Sequence, residues 1–319
     1  MQDDKTILGT IEPDVAERLV SRREAIRKGA SVSTAAMAGL AMASVPVALA
    51  ALARSTFAQA PASVTDVLNF ALMLEIFENE FYKAVLGTSS SAAQNTAFAT
   101  VRTAAAAVPG AVPALQQIQK HEAAHVAFLL ANGATNVLNL DATTFDFTGA
   151  RGEGEGPFAR AKTELAFLLV VAQAAEDTGV RAYKGQAPNL MSSREVLEAA
   201  LRIHSVEARH AAKIRRMRRA TGGPAAVRFS GTIRGGGAAA AGAGNVAPAP
   251  PQPVVDALGA IYGGATPESN TSQSGVNITT LPDLPPGASA NGPTEAFDEP
   301  LTKDEVRAIV QPFFIPTIP

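Results

Sequence analysis

Two Glu-x-x-His pairs, Glu122–His125 and Glu207–His210, stand in the middle of long helical runs and constrain this chain more than any other feature. Residues three apart on a helix point to the same side, so each pair presents a carboxylate and an imidazole together. The stripe around them is otherwise mostly apolar. Leu115, Ile118 and Leu129 flank the first pair, and Ile203, Ile214 and Met217 the second. Two further runs carry one such acid each: Leu68, Leu72, Glu75, Asn79, Tyr82, Leu86, and Leu165, Leu169, Ala172, Glu176, Tyr183. A carboxylate in an apolar stripe is costly unless something offsets its charge. Four such stripes, each polar at mid-height, imply four helices facing one another around a shared, charged centre.

The donor set says what offsets the charge. The chain has no Cys, which excludes disulfides, thiolate metal sites, iron–sulfur clusters and Cys nucleophiles. It has four His: His121, His125, His204 and His210. Glu75, Glu122, His125, Glu176, Glu207 and His210 together supply four carboxylates and two imidazoles, enough to balance two divalent cations that share bridging carboxylates. Mixed N and O donors suit iron or manganese, and affinity alone also admits zinc or copper. Glu75 is preferred over Glu78 and Glu80 because Glu75–Tyr82 and Glu176–Tyr183 share a spacing of seven, as in a diverged repeat. Gly179 then stands where Glu78 would be matched, and Glu78 is expected as a neighbouring carboxylate. His121 and His204 each lie within a turn of a ligand Glu; each is expected either to orient a carboxylate or to be an ordinary half-exposed His. Asp177 is expected to hydrogen-bond a ligand His across the bundle. Tyr82 and Tyr183 are expected in the core with a hydrogen bond, a redox or proton role being the alternative.

The predicted helices run over residues 64–86, 113–131, 157–184 and 193–219, with a short one near 97–107. Glycines 133, 185 and 222–223 are expected as stops. The connection 132–156 is long enough to cross the bundle. Residues 1–60 read as an export leader: Arg22-Arg23, then 25 uncharged residues from Gly29 to Ala53, then Ala58-Gln59-Ala60. The arginine pair resembles a bacterial twin-arginine signal, which implies a periplasmic or extracellular protein. The alternative is a membrane anchor retained from the same stretch. Residues 223–253 are rich in Gly, Ala and Pro and read as a linker. The tail, 254–319, is expected to be mostly extended and irregular, either packed through Phe313, Phe314 and Ile315 or disordered. It has one short helix after the capping box Thr302–Glu305. With 27 basic and 29 acidic residues the chain gives no reason to expect nucleic acid, and Lys213–Arg219 reads as cations at a helix C-terminus.

Four segments carry a family resemblance. Leu74-Glu75-Ile76-Phe77-Glu78-Asn79-Glu80-Phe81-Tyr82, His121 to Leu129, Ala175 to Tyr183 and Val206 to Ala211 resemble the four helices of the ferritin-like superfamily. In particular they resemble its exported bacterial branch, related to plant desiccation-related proteins. The resemblance covers about residues 63–220 and implies an all-α, ferritin-like four-helix bundle with a long crossover, holding two iron ions, or manganese as the alternative. It implies redox chemistry with a small-molecule oxidant, oxygen or peroxide. A different class of function is a structural or stress-protective assembly protein that uses the bundle as a scaffold. Self-association through bundle faces or the tail is an expectation of that reading, and membrane contact is expected only with a retained leader.

Overall fold

The computed structural model describes residues 63–227, 252–281 and 297–319. The expected leader lies outside these residues, as does most of the expected linker. Helices dominate: α1 (Val64–Leu86), α2 (Ala92–Ala97), α3 (Ala99–Ala106), α4 (Ala111–Ala131), α5 (Leu165–Gln186), α6 (Arg194–Val227), α7 (Gln252–Tyr262) and α8 (Lys303–Val310). One two-residue hairpin, β1 (Ser272–Gln273) and β2 (Val276–Asn277), lies between α7 and α8. Among the described residues no helix is long and apolar enough to cross a membrane.

Four long helices form the bundle, and cross-helix bonds fix their directions. Gln119 donates to Asn79 at 2.9 Å while His125 meets Glu75 at 3.0 Å, so α1 and α4 run antiparallel. Arg215 reaches Asp177, and Arg218 donates to Gln173, so α5 and α6 are antiparallel too. Tyr82 pairs with Glu176 and Tyr183 with Glu75, which makes α1 and α5 antiparallel. The chain therefore crosses the length of the bundle between α4 and α5, and residues 132–164 make that journey.

Local chemistry explains the ends. Ser63 accepts from the Asp66 N–H at 3.1 Å, and Asp66 accepts in return from the Ser63 N–H, a capping box that starts α1. The crossover is organised by Asp146, whose carboxylate accepts from the N–H groups of Thr148, Ala150 and Gly152. Phe145 and Phe147 from the crossover pack edge-on and tilted against Phe77 of α1, and Phe313 and Phe314 from the C-terminus join them. Three boundaries depart from expectation. The helix begun at residue 157 starts at Leu165, after a 3-10 turn over Ala159–Lys162. Gly185 does not end α5, and Gly222–Gly223 do not end α6, which continues to Val227.

The C-terminal residues pack on the outer side of α5. Arg181, only 1% exposed, is the anchor. Its guanidinium donates to the carbonyls of Ile261, Gly263, Thr266 and Glu299, and Glu268 lies 3.1 Å from its Nε. Glu268 also accepts from the Glu299 N–H at 2.7 Å. Phe314 is fully buried, Phe313 is half-buried, and Ile315 is exposed. Helix α7 was missed by the sequence reading, although Val254, Leu258, Ile261 and Tyr262 follow helical spacing and are all buried.

Candidate metal centre

All six side chains singled out from the sequence converge in the middle of the bundle. They form two overlapping groups: Glu75, Glu122, His125 and Glu207 in one, and Glu122, Glu176, Glu207 and His210 in the other. Within each group one donor atom per residue lies within 4.8 Å of all the others. Glu122 and Glu207 belong to both groups, so the two Glu of the Glu-x-x-His pairs are the shared carboxylates. Glu75 with His125, and Glu176 with His210, sit at opposite ends. Every one of the six is buried.

Both imidazoles present Nδ1 to the centre. His125 Nδ1 lies 3.0 Å from Glu75, 3.1 Å from Glu122 and 3.0 Å from Glu207. His210 Nδ1 lies 2.8 Å from Glu122, 3.2 Å from Glu176 and 3.5 Å from Glu207. The outer acids are held from behind by tyrosines on opposite helices. Tyr183 of α5 donates to Glu75 of α1 at 2.5 Å, and Tyr82 of α1 donates to Glu176 of α5. The repeat read from the sequence is thus a reciprocal pair of bonds across the bundle.

The residues fit metal ions on two counts. Five buried atoms at the centre, Glu122 Oε1, Glu176 Oε2, both Glu207 oxygens and His210 Nδ1, crowd within 2.8–3.5 Å of an imidazole nitrogen or a carboxylate without a well-aligned hydrogen bond. Buried lone pairs left unpaired are costly, and a cation placed among them would satisfy them together. The protonation pattern gives the second count. Burial raises Glu75, helped by Glu207, to about 8, and burial also holds Glu176 well above the usual carboxylate range. Burial by itself would lower His125 and His210, but the surrounding carboxylates outweigh it and raise each to about 12. Burial would likewise raise Glu207, yet the two imidazoliums pull it down to about 2. The cluster demands positive charge; without metal, protons supply it.

The surrounding residues are arranged less as expected. His121 approaches an imidazole, not a carboxylate: its Nδ1 lies 2.9 Å from His210 Nε2, and the two rings lie edge to edge, nearly parallel at 13°. A cation held at His210 Nδ1 would leave the ring proton on Nε2, placed to donate to His121. Asp177 bonds no His. It accepts from Tyr262 at 2.7 Å, from Gln173 at 3.2 Å and from Arg215 at 3.2 Å, because its position on α5 turns it toward α6 and the C-terminal segment. His204 Nε2 is buried without a hydrogen bond, and the residue forms no hydrogen bond or ion pair with any of the six. Glu78 is 3% exposed beside Gly179, and burial raises its carboxyl well above the usual range. Sequence reasoning missed Tyr262. All three tyrosines of the chain end on an acid of α1 or α5.

No curated protein and no solved structure gave a significant match to the chain. A family model does match, over the stretch that holds the four long helices and the six converging side chains. Residues 63–220 match the family described as the ferritin-like domain, and this segment is a ferritin-like domain with a buried Glu/His cluster compatible with a metal site.

Proposed function

We propose that this domain holds two iron or manganese ions and carries out redox chemistry with oxygen or peroxide, in a protein exported from the cytoplasm. The observation that carries the reading is the overlap of the two donor groups on Glu122 and Glu207. Shared carboxylates bring two cations close enough to act on one small molecule. When bound, a pair of such ions supplies two electrons, one from each, to an oxidant.

The chain's own residues do the rest. Glu75 and His125 bind at one end, and Glu176 and His210 at the other. Tyr82 and Tyr183 hold the outer carboxylates in place, and His121 sets the ring of His210. The apolar shell of Leu72, Leu115, Leu169 and Ile214 excludes water and keeps the electrostatics strong. Export rests on the leader pattern in residues 1–60, and the relation to desiccation-related proteins on the four helix segments quoted above.

A scaffold reading, in which metal only staples the helices, is favoured by one feature: the C-terminal residues buried against α5 give the molecule an extra layer. One experiment separates the two. Metal content is measured on protein purified from its native compartment, and Fe(II) oxidation and peroxide removal are assayed on the same sample. About two equivalents of iron or manganese with turnover support the redox reading. Metal without turnover supports the scaffold, and protein that stays metal-free when offered both ions overturns the site.

A further inference from the structure

A small apolar cavity of about 40 Å³ lies beside the metal centre, between α1, α5 and the C-terminal helices. Its inner wall is Leu74, Val170 and Ala174 of the bundle, and its outer wall includes Ala257, Ile261 and Ile309 of the C-terminal segment. The volume exceeds the roughly 10–15 Å³ that one water-sized guest requires. Polar side chains in the lining are few. Thr178 is satisfied by its bond to the Ala174 carbonyl at 2.7 Å. Glu78 is different: its carboxyl lines the cavity, is almost wholly buried, and makes no hydrogen bond within the described residues.

The cavity ends next to the shared carboxylate of Glu207 because of a glycine. A Cβ at Gly179 would lie 3.3 Å from Glu78 Oε1 and 3.8 Å from Glu207 Oε2. Any side chain there would stand between the cavity and Glu207. A second apolar cavity, lined by Phe128, Leu129 and Ile203, also adjoins the bundle core. That one ends at Tyr183, whose hydroxyl is already committed to Glu75.

We infer that the cavity ending at Glu78 is the binding pocket for dioxygen, and that the C-terminal segment is its outer wall. The inference rests on the redox reading and decides between its two oxidants. Dioxygen is apolar and gains by leaving water for a dry apolar space. Peroxide needs several hydrogen bonds, and a lining whose unpaired polar group is one carboxyl leaves most of them unmade. The C-terminal residues thereby become part of the site.

The test uses the full-length chain and two independent readouts. Metal-free crystals are pressurised with xenon, which probes the pocket without any metal. Xenon is expected beside Leu74 and Ala257, and Ala257→Phe is expected to exclude it while metal binding stays intact. In the metal-loaded protein, Ala257→Phe is expected to slow Fe(II) oxidation by dioxygen at least about tenfold, and by peroxide much less. Ala257→Leu, a gentler plug, should fall between if the larger ring disturbs folding. Xenon absent from this cavity, or both oxidants slowed equally, overturns the inference. Xenon entry with no turnover by either oxidant sinks the redox reading, and the substrate with it, while leaving the cavity.

Discussion

The hairpin α1–α4 and the hairpin α5–α6 present nearly the same inner face and different outer ones. Inside, each offers one outer Glu, one shared Glu and one His, and each sends a tyrosine to the other's outer acid. Outside, they part. Five residues beyond Glu75 stands Glu80, paired with Lys83 at 2.7 Å near the surface. Five residues beyond Glu176 stands Arg181, buried and wrapped by carbonyls of the C-terminal segment. Three residues beyond the same acids stand Glu78 and Gly179, which together shape the end of the cavity. The lesson is that metal binding constrains one face of each helix to match, and leaves the other face free to acquire a partner.

The symmetry of the inner face is tested most severely at its shared members. Glu207→Ala is expected to abolish binding of both ions, whereas Glu75→Ala is expected to cost one, leaving Glu122, Glu176, Glu207 and His210 together. Metal stoichiometry by elemental analysis decides this, and equal losses from the two variants would refute the shared role. The outer faces should differ next most. Arg181→Met strands Glu268 and four carbonyls and is expected to cost about 3–5 kcal/mol in denaturant unfolding. Glu80→Ala, at the matching place, removes a partly exposed ion pair and is expected to cost under about 1 kcal/mol. The smallest break lies in one imidazole's support. His121 backs His210, and Val206, at the matching place before His210, offers His125 no such partner. His121→Ala is therefore expected to weaken one ion by about 10–100-fold and spare the other, read from sequential metal titrations.

Much of this was legible from residue spacing. Helix α1 is legible over 64–86 from its apolar stripe, and α8 after Thr302 from its capping box. The six donors were legible because burying acids mid-stripe is so costly that their alignment on four helices carries information. What escaped is long-range and mediated by backbone. Arg181 reads as an ordinary polar residue of a helix until carbonyls from residues 261 to 299 arrive around it. No periodicity announces a carbonyl. The partner of Asp177 was missed for a similar reason: Tyr262 lies on α7, and the Gly/Ala/Pro run before it gave no reason to expect a helix that returns to the bundle. The glycine at 185 misled because a tertiary contact, the Leu301 carbonyl against it, outweighs a local stop signal.

Gly185 carries a consequence of its own. A methyl group there would overlap the Leu301 carbonyl, whose oxygen lies 1.8 Å from where the carbon would be. Alanine, the best helix former, is thus barred from this turn, and α5 accepts a local penalty of about 1 kcal/mol. The notch has no use to a helix standing alone. Its presence means the C-terminal strap and the bundle were shaped as one object, and a chain trimmed of that strap would keep a mould with nothing cast in it.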